Sequence, residues 1–219
     1  DGVGWSEAGV LAGTPEEAGT FPFTVLAMGG GQTVSRPLSL TIHSHPAIAT
    51  TSVPNGAVGV FSSFAFQAVG GDGTYQWALT DGALPDGLTL STAGSLTGTP
   101  AAGGNFSFRV EVTSAGEVAS GTFIMRIYSP LVITTGNLPS GVVGEAYSQS
   151  LNAVGGDGSY AWAVTEGVLP DGLGLESGTG SLAGTPTSEG VFPFTVQATS
   201  AGLTTSKTLS VSVFPPLAI

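Results

Sequence analysis

The chain has 219 residues, with Lys and Arg together numbering 4 against 15 Asp and Glu, a formal net charge of −11. So few cations exclude nucleic-acid binding and disfavour an anionic membrane surface, because no basic patch exists to meet phosphates. Cysteine is absent, so no disulfide framework supports the fold, and no apolar run is long enough to span a bilayer.

In chain order, Asp1-Gly2-Val3-Gly4-Trp5 and Gly9-Val10-Leu11-Ala12-Gly13-Thr14-Pro15 come first. Phe21, Phe23, Val25 and Ala27 then repeat the order of Phe106, Phe108, Val110 and Val112, and Leu38, Leu40 and Ile42 alternate with polar neighbours; period-two alternation predicts strands. Ala65 to Val69 reads as one strand running into Gly70-Gly71-Asp72-Gly73, whose glycines admit the positive φ of a tight connection. Tyr75-Gln76-Trp77-Ala78-Leu79 predicts the next strand, and Pro85-Asp86-Gly87 a turn from which Leu88 and Leu90 drop between sheets. After Gly94-Ser95-Leu96-Thr97-Gly98-Thr99-Pro100 comes a hairpin. Phe106, Phe108, Val110 and Val112 lie on its first strand, Ser114-Ala115-Gly116 at its turn, and Phe123, Met125 and Ile127 on its second.

The whole order then returns. Leu151 to Val154 leads into Gly155-Gly156-Asp157-Gly158, followed by Tyr160-Ala161-Trp162-Ala163-Val164 and Pro170-Asp171-Gly172 with Leu173 and Leu175. Gly180 to Pro186 and the hairpin of Phe192, Phe194, Val196 and Ala198 against Leu209, Val211 and Val213 complete it. Pro15, Pro100 and Pro186 recur about every 85 residues, a period that signifies small domains in tandem. No segment shows helical periodicity. The fold class expected is all-β, tandem β-sandwich domains in an extended array.

The divisions expected are 1–45, the C-terminal half of a repeat; 46–129 and 130–215, complete repeats; and 216–219, the first strand of a further one. Prolines at His45-Pro46, Ser129-Pro130 and Pro215-Pro216 mark the joints and restrict rotation there, predicting a stiff rod. By the period, the first repeat lacks about 40 residues; either the chain is a window on a longer protein or neighbouring copies complete its ends. Trp77 and Trp162 are the expected core anchors, with Leu90, Leu175, Phe108 and Phe194 around them. Trp5 stands where Leu90 and Leu175 stand, so it is core, or stranded if its domain is incomplete.

The series Leu-Pro-x-Gly-Leu-x-Leu, Gly-x-Leu-x-Gly-Thr-Pro and Phe-x-Phe-x-Val runs from Leu84 to Val110 and from Leu169 to Val196, with its second half from Asp1 to Val25. In this the chain resembles the bacterial putative Ig domains, a cadherin- and dystroglycan-like group. The resemblance implies Ig-like sandwiches found as repeats in large surface and secreted proteins. It is specific for fold and unspecific for role.

Acidic residues concentrate in the turns. If Ca²⁺ binds, Asp72 with Asp86 and Asp157 with Asp171 are the candidate ligands; the alternative is solvated turn carboxylates, with no cofactor. His43-Ser44-His45 sets two imidazoles together, with no nearby Cys or carboxylate to complete a metal site. Asn105-Phe106-Ser107 fits a glycosylation sequon. No nucleophile elbow or phosphate-binding glycine loop is present, so an enzyme is not expected. The functional expectation is an extracellular stalk, adhesin spacer or fibre building block, with neighbouring repeats or other copies of the chain as partners. The alternative is a module recognising a glycan or host protein through loops at one end, favoured if Tyr75, Tyr160 or Trp5 form an exposed patch.

Overall fold

The computed structural model describes residues 2–217 and is all-β. Of the strand expected at 216–219, Pro216 and Leu217 lie outside regular structure, and Ala218 and Ile219 fall outside the described residues. The chain packs as two compact units. One comprises residues 1–54, 61–99 and 106–125; the other comprises 55–60, 100–105 and 126–219. Two short segments of the middle repeat thus pack with the second unit.

In the first unit, β1 (Val3–Trp5) pairs antiparallel with β2 (Leu11–Gly13), and β3 (Gly19–Gly29) with β4 (Gln32–Ile42). Only His43 separates β4 from β5 (Ser44–Ile48), which belongs to the middle repeat. The middle repeat continues with β6 (Gly56–Ala57), β7 (Ser62–Ala65), β8 (Ala68–Gly71), β9 (Gln76–Gly82), β10 (Leu88–Leu90), β11 (Ser95–Gly98), β12 (Gly104–Ser114) and β13 (Glu117–Ile133). One sheet runs β10-β11-β7; β9, β12 and β13 form the facing one, and β5 pairs with β8. The third repeat, in the second unit, has β14 (Gly141–Val142), β15 (Tyr147–Ser150), β16 (Ala153–Gly156), β17 (Ala161–Gly167), β18 (Leu173–Leu175), β19 (Ser181–Gly184), β20 (Gly190–Ser200) and β21 (Leu203–Phe214). Its sheets run β14-β21-β20-β17 and β15-β19-β18.

The single strand expected from Ala65 to Val69 is instead the end of β7 and the start of β8, in different sheets. The crossing is fixed by the backbone. Phe66 donates its N–H to Gly94 O, while Gln67 O accepts from the N–H groups of Ala49 and Thr50. In the third repeat the equivalent pair, Leu151 and Asn152, separates β15 from β16 in the same manner. The Phe66 and Gln67 N–H groups and the Gln67 carbonyl all keep partners through the switch, and apolar alternation carries no mark of it.

Inward side chains of the hairpin strands fill each core. Trp77 and Trp162 are buried, as are Phe108 and Phe194. Phe66 lies between Trp77 and Phe123, with ring centroids 5.5 and 5.0 Å away, and Trp162 packs in one cluster with Leu182, Phe194 and Val196. Leu90 and Leu175 are only half-buried, as the last residues of the three-residue edge strands β10 and β18, whereas Leu88 at the start of β10 is buried. The leucines fully enclosed are Leu96 and Leu182, on β11 and on β19. Trp5 is exposed.

Candidate functional site

The acidic turns singled out in the sequence close the start of each complete repeat. β8 and β16 each end in two glycines with positive φ, 78° and 65° at Gly70 and Gly71, 89° and 60° at Gly155 and Gly156. A Cβ on Gly70 would strike the carbonyl oxygen of His45, and one on Gly155 that of Pro130. The facing strand bulges there, between Ser44 and Ala47 and between Ser129 and Val132. A proline N, having no hydrogen, is tolerated at such a bulge. The second glycine of each pair faces a buried hydroxyl, Ser114 or Ser200, whose Oγ leaves no room for a side chain.

That hydroxyl and the following aspartate form a latch. Ser114 Oγ accepts the Asp72 N–H at 3.1 Å and donates to Asp72 Oδ1 at 2.9 Å, and Oδ1 also accepts the Thr74 N–H at 2.8 Å. Ser200, Asp157 and Ser159 repeat the arrangement at 3.0, 2.9 and 2.8 Å. Tyr75 and Tyr160 donate their hydroxyls to the carbonyls of Gly70 and Gly155 at 2.7 and 3.2 Å, so neither is an exposed platform. The Thr74 N–H foremost, then the Ser114 hydroxyl, hold the Asp72 carboxyl below its ordinary range, burial opposing them; nearby His43 adds to the lowering. Asp157 is lowered by the Ser159 N–H and then Ser200, again against burial, with a contribution from Arg126. Hydrogen bonds to the ionised form outweigh desolvation in both.

The four candidate calcium ligands are placed as follows. Asp72 and Asp157 direct Oδ1 into their own turns, and Asp86 and Asp171 are exposed in the Pro-Asp-Gly turns. Among the described residues no three of His, Asp and Glu stand close enough to hold a metal ion. At the first joint a carboxylate does approach the histidines, contrary to expectation: His45 Nδ1 lies 3.4 Å from Glu117 Oε2, with both side chains largely exposed. The two are far apart in sequence and meet only because the hairpin returns Glu117 to this end. Asn105 is exposed near the start of β12.

A second constellation escaped sequence reasoning. Within the second unit, Asn55 Oδ1 accepts the Arg126 N–H and Asn55 Nδ2 donates to Tyr128 Oη, both at 3.1 Å. The Arg126 guanidinium lies 4.9 Å from the Tyr128 ring centroid, a cation–π contact. Beside it β6 pairs in parallel with β13 at Ile127 and Tyr128, while the same strand pairs with β16 at Ser129, Val132 and Ile133. β13 therefore passes through Ser129-Pro130 without a break.

The sequence profile of the family described as Putative Ig domain matches residues 45–128 and again 129–214. No curated protein matches. Among solved structures, the chain is similar to the titin I-band fragment I67–I69, at 18% identity over 79% of this chain and 67% of that one, TM-score 0.52. It is also similar to extracellular domains 3–5 of Drosophila OTK, at 12% identity over 97% of this chain and 78% of that one, TM-score 0.52. An endo-fucoidan hydrolase matches at 20% identity over 98% of this chain, which spans 37% of the hydrolase chain; its TM-score of 0.35 carries no argument about activity. With two tandem copies of the family pattern on sandwiches of this topology, the chain belongs to the Putative Ig domain family.

Proposed function

We propose that the chain is a non-catalytic, extracellular spacer segment of a structural or adhesive array, working through its neighbouring repeats or through other copies of itself in a fibre. The observation that carries this reading is the absence of a linker at the Ser129-Pro130 joint. One strand serves both sides of the joint, pairing with β6 through Ile127 and Tyr128 and with β16 through Ser129, Val132 and Ile133, with a bulge between the first two. At the first joint a single residue, His43, stands between strands. A shared strand transmits tension and torque through backbone hydrogen bonds, whereas a flexible tether would take up both in its own conformational freedom. Two further features agree with this role. The Ser/Asp latch fixes the turn beside each joint, and the hydroxyl-rich outward faces of β20 and β21, where Thr195 meets Thr208 at 3.2 Å, carry little charge.

Small-angle scattering of the chain, with and without a four-residue Gly/Ser insertion after Ser129, tests the proposal. The expected result is an extended particle whose maximum dimension falls on insertion. A parent chain that scatters as a freely jointed or compact particle would overturn it.

A further inference from the structure

We propose that Asn55 is a site of spontaneous covalent modification, closing a succinimide with the Gly56 peptide nitrogen, and that its hydrogen bonds to β13 restrain the reaction until β6 opens. Asn55 is followed by glycine, whereas Asn105, Asn137 and Asn152 are followed by Phe106, Leu138 and Ala153. A glycine has no side chain to shield its peptide nitrogen or to limit its backbone. Of the four asparagines, only Asn55 therefore leaves its carboxamide carbon open to attack by the next residue. The Gly56 nitrogen gives up its proton and bonds to Asn55 Cγ, and the Cγ–Nδ2 bond breaks. The departing nitrogen takes up a proton and leaves as ammonia. Water then opens the ring at either carbonyl, giving aspartate or isoaspartate.

Attack requires the carboxamide to turn over the Gly56 nitrogen, and both of its ends are tied to β13. Oδ1 accepts the Arg126 N–H and Nδ2 donates to Tyr128 Oη, each at 3.1 Å. The residues that follow are tied to the same stretch: Gly56 and Ala57 pair with Ile127 and Tyr128, and the Val58 N–H donates to Tyr128 O at 3.0 Å. One event, the parting of β6 from β13, thus frees both the attacking nitrogen and the attacked carbon. In the third repeat β14 lies on β21 in the same parallel register, Gly141 on Val213 as Gly56 on Ile127. Ser140 stands there in the place of Asn55, so docking of the strand does not require a carboxamide. The products act back on the docking. Aspartate replaces the Nδ2 donor by an acceptor. Isoaspartate adds a carbon to the main chain ahead of Gly56 and displaces Gly56 and Ala57 from their partners. The inference stands apart from the spacer reading, since it concerns one peptide bond and needs neither an extracellular setting nor an array.

The test holds the full chain in mildly alkaline buffer, folded and in urea. Conversion at each asparagine is followed by mass spectrometry of chymotryptic peptides, with isoaspartate scored by its backbone fragments. Asn55 is expected to convert ahead of the other three. Its rate should be about 10-fold or more higher in urea than in the folded chain, since two hydrogen bonds are given up together. Tyr128→Phe should raise the folded rate about 2- to 10-fold by removing one of them. Ser114→Ala, which loosens the fold without touching this cluster, should leave that rate unchanged. After ageing, the parent chain should exchange its Val58 N–H faster than when fresh. Equal rates in folded and unfolded chain would overturn the inference, as would a Tyr128→Phe rate equal to the parent's or conversion confined to Asn105, Asn137 or Asn152. The urea comparison uses the unsubstituted chain, so it stands whether or not the variants fold.

Discussion

Ser114 Oγ lies 2.9 Å from Asp72 Oδ1, joining the hairpin turn of the middle repeat to the turn that follows β8, and Ser200 with Asp157 repeats the pair at 2.9 Å. The hydroxyl is donor to the carboxylate and acceptor for the N–H of the same aspartate. Recurrence of aspartate in the Gly-Gly-Asp-Gly turns thus has a local cause that needs no metal.

Ser114→Ala should cost about 1 kcal/mol or somewhat more, since it strands a part-buried N–H and leaves a small void. Denaturant unfolding of this variant, and of Ser200→Ala, checks it. A cycle combining Ser114→Ala with Asp72→Asn should show coupling, because the two side chains share one hydrogen bond.

Both latch carboxyls titrate below their ordinary value of 3.8 in the folded chain. A depressed carboxyl contributes stability that is fully present above the unfolded pKa and is lost as pH falls through the folded one. Unfolding midpoints should therefore be insensitive to these groups at neutral pH and decline below about pH 4. Asp72→Asn with Asp157→Asn should flatten that decline; an acid limb unchanged by the double variant would exclude the latch as its source.

Gly94→Ala and Gly9→Ala form a matched pair. Each places a Cβ at a positive φ, which costs about 1–2 kcal/mol. Only at Gly94 does the methyl also meet an indole, adding about 1–3 kcal/mol of overpacking. Thermal unfolding should separate the two, with a change in Trp77 fluorescence for Gly94→Ala alone.

The hairpin turns carry removable strain. Ala115 and Gly116 have φ of 53° and 83°, Ala201 and Gly202 50° and 78°, and the first repeat has Gly30-Gly31 at 58° and 78°. Two successive positive φ values define the type I′ geometry that suits a right-twisted hairpin. Ala115→Asn and Ala201→Asn should each stabilise by about 0.5–1 kcal/mol, since Asn tolerates this region better than Ala. Melting of the single and double variants should show additive increments.

Tyr128→Phe tests the cluster at the Ser129-Pro130 joint. It removes the acceptor of the Asn55 amide while sparing the ring under Arg126, and should cost about 0.5–1.5 kcal/mol. Exchange of the Val58 N–H, which is bonded to Tyr128 O at 3.0 Å, should quicken more than that of amides on β9.

Strands, hairpin turns and the burial of Trp77 and Trp162 were legible in the sequence, because alternation and turn glycines are local properties of a sheet buried on one face. The same periodicity could not reveal that Ala65 to Val69 changes sheet. It also could not reveal that Leu96 and not Leu90 sits in the enclosed layer, since both alternate equally well and only their place in the sheet separates them. The latch was half visible: the aspartates drew attention as metal ligands, but their partner serines lie in another turn. Asn55, Arg126 and Tyr128 left no pattern at all, as only the middle repeat brings such residues together.

By itself, then, the chain of residues dictated a repeating all-β architecture, because one period governs every turn and every inward side chain. Tertiary structure alone decided which polar groups meet, which leucines are enclosed, and how β13 crosses a joint. Those outcomes depend on contacts between segments remote in sequence, where no local spacing constrains the partner.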